Sequence, residues 1–234
     1  MPRKTAFPLK VAIPVLCCLA VAAPAFAGCK DKPAAGVDWS GCAKERLMLD
    51  GADLSGAVLE KAFLSGSGLE GANLSGAKLG RSELVRASFR GADLTGADFE
   101  KALASRTVFD GAVLTGARLV KAEFLRVSFA GADLTGADLA DGDFLRNDFT
   151  GAKLAGANLK GAFAPRSLFT GADLGGADLS GAIFELARFE GVDLGAAAGL
   201  TQGQVDAACG DDATKLPAGL TKPASWPCPA VEAP

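Results

Sequence analysis

The 234-residue chain has no histidine, no tyrosine, and only two Trp and two Met. Without an imidazole, Ser-His-Asp and Cys-His nucleophile systems and His-ligated zinc are excluded. Aromatic residues make up 7% although hydrophobic residues reach 49%. An apolar fraction drawn mostly from Ala and Leu points to a narrow, repetitive interior rather than a broad jigsaw core. Glycine, in contrast, is abundant at 30 residues.

The first segment reads as an address. Arg3, Lys4 and Lys10 form a positive stretch, Val11 to Ala23 is apolar, and Pro24 precedes Ala25-Phe26-Ala27. That is the layout of a secretory signal peptide over residues 1–27, and the apolar run is short for a membrane span. Cleavage after Ala27 removes three of the 24 basic residues and none of the 27 acidic ones, leaving a net charge of −6. The expected location is periplasmic or secreted. A lipid anchor on Cys29, giving a surface lipoprotein, is the weaker alternative because Phe26 is bulky where such signals carry Leu or Val.

Cysteine usage agrees with export. Cys29 and Cys42 precede the repetitive body, and Cys209 and Cys228 follow it. Four cysteines allow three connectivities, and the long body between the pairs favours the local bridges 29–42 and 209–228. Neither pair has C-x-x-C spacing, so redox catalysis and zinc binding are poor readings.

An internal period governs the rest. Every fifth residue from Leu49 to Leu194 is Leu or Phe, except Ala104 and Ala164. The residue two places earlier is Ala in 21 of 30 cases, and Ser, Thr, Gly or Val in most others. Neither 3.6 nor 2 divides this pattern, so it is not an amphipathic helix or a simple strand ladder. A unit with one large and one small inward residue fits one side of a coiled rod. Gly recurs every twenty residues from Gly51 to Gly191, so twenty residues make one turn of four sides. Turns should stack at about 4.8 Å, the strand–strand spacing.

On units such as Ala52-Asp53-Leu54-Ser55-Gly56 and Ala92-Asp93-Leu94-Thr95-Gly96, the chain resembles the pentapeptide-repeat family. The resemblance implies an all-β solenoid, a right-handed quadrilateral β-helix, here of about 7.5 coils over residues 47–195. Residues 28–46 are expected to form an N-terminal cap and residues 196–234 a C-terminal cap. Thr201-Gln202-Gly203-Gln204 matches a capping box and should start a short helix. Trp39 and Trp226 lie outside the repeat and read as lids.

Four inward columns follow from the twenty-residue step. The fourth stacks Phe89, Phe109, Phe129, Phe149, Phe169 and Phe189; its small-residue column admits Thr107, Asn147 and Ser167. Asn147 must then find backbone partners, at a cost of about 1–3 kcal/mol otherwise. In the third column Ala164 lies between Phe144 and Phe184, which reads as large–small packing along the axis. A filled rod offers no cofactor cavity.

Function is therefore expected on the faces. The first two sides carry ten outward acids against four basic residues, and the other two carry 11 basic residues against nine acids. Arg86, Arg106, Arg126, Arg146 and Arg166 form one column, and Lys61, Arg81, Lys101 and Lys121 another. They suggest a strip for an anionic partner, or a solvated face neutralised by neighbouring acids. Phe63, Val85, Leu103, Leu125, Leu145, Phe163 and Ile183 point outward from side three and could line an interface with a protein partner or a second copy.

Catalysis has little support, because the outward carboxylates have no pocket. The chain lacks the G-G-x-G-x-D-x-U-x calcium repeat and a phosphate-binding Gly loop, so neither metal nor cofactor is expected. Family resemblance also implies an acidic mimic of duplex DNA that inhibits or protects gyrase. The acidic columns are broken at Asn73, Val113 and Lys153, and export removes the chain from cytoplasmic gyrase. A Thr array for ice binding, at Thr95, Thr115 and Thr135, is only three high. The reading is a non-enzymatic binding or structural rod, with no nucleic-acid partner and no membrane span.

Overall fold

The computed structural model describes residues 28–229. The signal-peptide reading of residues 1–27 lies outside them. Parallel bridges join residues twenty apart in unbroken phase, from Asp38↔Val58 through Asp178↔Ala198. Most sides contribute one bridging residue before the chain turns, because five residues leave little room for a strand between corners. Longer extended stretches occur at β1 (Leu103–Ser105) and β2 (Glu123–Leu125), paired in parallel with Ala104 opposite Phe124.

The inward columns are dry. Leu54, Leu94, Phe109 and Phe129 are fully buried, and the small inward residues Ala92, Thr107 and Val127 are buried beside the last three. The fourth-side Phe rings stack at 4.8–5.1 Å between centroids with interplanar angles of 1–11°. This spacing matches one strand–strand step, so the ring ladder and the backbone ladder share a pitch. Ala164 is buried between the Phe144 and Phe184 levels. Gly142 takes the small position beside Phe144, whose ring lies 2.6 Å from where a Cβ would stand.

Polar residues in the fourth side's small column tie successive coils together. Ser67 Oγ donates to Lys44 O at 2.7 Å and accepts from Leu47 N at 3.0 Å. Ser167 repeats the pair with Phe144 O and Asn147 N, and Thr107 donates to Leu84 O at 2.6 Å. Asn147 Oδ1 accepts from Val127 N at 2.8 Å, while its buried Nδ2 has no partner. The Asn147 expectation is thus half met.

The ladder starts earlier than the Leu/Phe pattern. Trp39 stands twenty residues before Leu59, is fully buried, and donates its backbone N–H to Val58 O at 2.8 Å. It is a rung of the core, and its expected role as a lid outside the repeat is corrected. Cys42 likewise occupies a small inward position and is disulfide-bonded to Cys29. Lys44 stands where Leu64 stands one coil later, with its ammonium 3.7 Å from the Trp39 ring centroid. Burial lowers the Lys44 pKa, partly opposed by Asp31. The cation–π contact lets a lysine close the open mouth of the rod.

At the other end, α1 (Gln202–Ala207) begins at Thr201 with both halves of the capping box formed. Gln204 Nε2 also donates to Leu179 O and Ala182 O, satisfying carbonyls of the last coil. After the helix the chain rejoins the ladder at Arg188↔Cys209 and Asp193↔Lys215. Trp226 covers Gly210, where a Cβ would run into its ring, and donates Nε1–H to Ala208 O at 2.8 Å. Cys209 and Cys228 are disulfide-bonded across this cap. These contacts cover an end that would otherwise offer unpaired backbone to another chain.

Candidate interaction face

Each corner of the rod needs a residue with positive φ. The chain fills the corners bordering side one with glycine, such as Gly131 and Gly136, both at φ +64°. Most corners bordering side three are filled differently, although Gly66, Asp141, Gly161, Gly181 and Leu186 also stand there. Lys61, Arg81, Lys101 and Lys121 line one edge, and Arg86, Arg106, Arg126, Arg146 and Arg166 line the other, all at φ +52° to +58°. A side chain in this region costs about 1–2 kcal/mol per residue, which glycine avoids. Nine cations therefore occupy backbone positions that suit another residue better.

All five arginines of the second edge are exposed. Among the described residues, no carboxylate oxygen lies within the 4.0 Å ion-pair distance of any of them. The acids at the far end of side four have other contacts: Asp110 pairs with Arg90, Glu190 with Arg188, and Glu70 accepts from Ser88. Direct ion pairs are thus absent at this column among the described residues. Two guanidinium groups about 5 Å apart, one coil step, repel by about 0.8 kcal/mol even at the dielectric constant of water.

A groove of about 380 Å³ follows this edge, lined by Arg106, Arg126, Arg146 and Arg166 with Leu125, Leu145 and Ser105. The outward apolar residues do not form one stripe. Phe63, Leu103, Phe163 and Ile183 share a bridged column with Glu83, Glu123 and Asp143 between them. Val85, Leu125 and Leu145 belong to the neighbouring column, which lies beside the arginines. The acids in the first column divide the face into short apolar patches.

On sides one and two the aspartates serve the turns, as Asp143 and Asp148 do on the other two sides. Asp53, Asp93, Asp133, Asp173 and Asp193 each accept the backbone N–H two residues on, at 2.9–3.1 Å. Asp98, Asp138 and Asp178 do the same on side two, at 2.8–3.2 Å. The second position of each unit is thus a turn-forming residue first and a surface charge second. The Ser55 and Ser180 side chains, then their backbone N–H groups, hold Asp53 and Asp178 below the usual carboxylate range. Arg118, then Lys101, lowers Glu100 to about 2.

Groups with a depressed folded-state pKa contribute stability above their unfolded pKa, and it fades as pH falls through the folded value. The thermal midpoint should therefore be level from about pH 5 to 8, where the chain has no histidine to titrate, and fall between about pH 5 and 2. Calorimetry across that range checks it; a step near pH 6.5 would contradict it.

Among the described residues, no group of three or more His, Cys, Asp or Glu is placed to hold a metal, and no helix is long and apolar enough to cross a membrane. A family model described as "pentapeptide repeats" matches eight copies, reaching from residue 49 to residue 197. The chain belongs to the pentapeptide-repeat family. Its fold is accordingly a right-handed β-helix solenoid. Similar solved structures include HetL, a pentapeptide-repeat protein involved in heterocyst differentiation regulation in the cyanobacterium Nostoc. HetL is 24% identical over 76% of this chain and 86% of its own, with a TM-score of 0.44. A pentapeptide-repeat protein of the Arabidopsis thaliana thylakoid lumen is 36% identical over 39% of this chain and 67% of its own, with a TM-score of 0.34. The plasmid-mediated fluoroquinolone resistance protein QnrB1 is 24% identical over 74% and 84%, with a TM-score of 0.38. No curated protein matches the chain.

Proposed function

We propose that this pentapeptide-repeat protein is an exported, non-enzymatic binding rod that docks an anionic partner along the Arg86–Arg166 edge of side three. The observation that carries the reading is a column of five arginines at positive φ, unpaired with any carboxylate among the described residues. Backbone strain and mutual repulsion both oppose the column, and glycine at the neighbouring corners shows what the fold alone prefers. A charge-complementary partner relieves the repulsion.

A second copy fits this face less well. Side three is bordered by cations on both edges, so laying it on itself sets cation against cation whichever way the rods run. The DNA-mimic alternative rests on the acidic sides. Asn73, Val113 and Lys153 interrupt that column, and its aspartates are engaged in their own turns.

The triple variant Arg106→Gly/Arg126→Gly/Arg146→Gly separates binding from folding. It should be more stable than the wild type by about 1–3 kcal/mol in urea unfolding, after allowing for the extra unfolded-state freedom of glycine. On a sulfonated, negatively charged resin it should elute at much lower salt than Lys78→Gln/Lys153→Gln/Lys160→Gln, which also removes three charges. A Gly variant less stable than the wild type, or equal elution of the two variants, refutes the reading.

A further inference from the structure

Resting on the exported part of that reading, we infer that the mature chain begins at Gly28 and that the α-ammonium freed there is built into the N-terminal cap, held by Asp31. Within the ladder a bridging carbonyl accepts from the residue nineteen places earlier, as Val58 O does from Trp39 N. Asp38 opens the described ladder, and its carbonyl accepts instead from Gly28 N at 2.8 Å, ten places earlier. Gly28 thus fills the place of a preceding coil. The chain turns back at once, with Asp31 N donating to Gly28 O at 2.7 Å.

That turn sets the Asp31 carboxylate against Gly28. A Cβ at Gly28 would run into it, and the Gly28 nitrogen is bonded to the same Cα as that Cβ would be. Among the described residues, no Lys or Arg nitrogen lies within the 4.0 Å ion-pair distance of Asp31. Its charge otherwise acts on Lys44, where it partly offsets burial. Hydrolysis of the Ala27–Gly28 bond by an envelope signal peptidase consumes one water, leaving a carboxylate on Ala27 and an ammonium on Gly28. The ammonium has three N–H donors where the amide had one. One keeps the bond to Asp38 O, and another meets the Asp31 carboxylate as a charge-assisted pair. A cut one residue later, with a lipid on Cys29, fits poorly. It removes the donor to Asp38 O, and a sulfur that carries a lipid cannot also bridge the inward Cys42.

The test starts with expression of the full chain in a bacterial host and the intact mass of the protein in its envelope. The mass should match residues 28–234 with both bridges closed. A lipid on Cys29, or a start at any other residue, overturns the inference and leaves the binding reading standing. A precursor kept whole in the cytoplasm overturns the export reading with it. On the mature protein, a succinimidyl ester at neutral pH should acylate the Gly28 amine at least about threefold more slowly than in Asp31→Asn, because only the uncharged amine reacts and the ion pair favours the ammonium. Gly28→Ala, which pushes the carboxylate aside without removing it, should also react faster than the wild type. In urea the three rates should converge. Equal rates in the folded proteins, or a difference that persists in urea, overturn the role given to the ammonium.

Discussion

Phe129→Ala is expected to cost about 4–5 kcal/mol, the upper part of the range for a buried aromatic. Phe129 is fully buried and stacks on Phe109 and Phe149 at 5.1 and 5.0 Å, with Phe124 at 6.1 Å. Its removal opens a cavity that the backbone ladder cannot close, because hydrogen bonds on all four sides fix the distance between coils. In a solenoid each coil is held only by its neighbours, so the damage is also a loss of coupling. Urea unfolding should show a broader or split transition, with the coils before and after the cavity melting separately. Phe189→Ala, beside the C-terminal cap and 2% exposed, should cost less and leave a single transition. Equal effects at the two sites would mean that the Phe ladder does not couple the rod.

Opening the C-terminal bridge is the second large effect. Cys209 and Cys228 close a loop of 19 residues, and Cys209→Ser/Cys228→Ser should lower stability by about 3 kcal/mol through the freed entropy of the unfolded chain. The native consequence is more specific. Cys209 N donates to Ala187 O at 2.7 Å, Phe189 N donates to Cys209 O at 2.8 Å, and Trp226 lies over Gly210. When this segment loosens, the last coil exposes donors and acceptors at strand spacing, and rods can join end to end. Light scattering of the double variant should show concentration-dependent growth that the wild type lacks. A variant that stays monomeric would place the sealing in α1 and Gln204 instead.

The repeat made most of the architecture legible. Its phase placed Phe89 through Phe189 in one column and the outward Arg column beside it. The N-terminal start escaped the same reading, because Trp39, Cys42 and Lys44 occupy inward positions without being Leu, Phe or Ala. A lysine in a large inward position reads as surface until the Trp39 ring supplies it with a partner. Two properties of the candidate site were also hidden. The corner strain at Arg126 is visible only through φ, although the Gly at other corners of the same turn is the signal that would have found it. The absence of ion pairs at the arginine column depends on side-chain distances, which residue spacing does not give.

The unbroken twenty-residue bridge has a consequence for how this face can change. Because each coil from Arg86 to Arg166 contributes one rung to every inward column, one corner arginine and one step of pitch, removing or duplicating a coil leaves its neighbours' backbone contacts in place. The binding edge can therefore lengthen or shorten only in whole rungs, each adding or subtracting one charge at a fixed interval. The rod behaves as a graduated ruler, and the reach of its grip is set by the number of its marks.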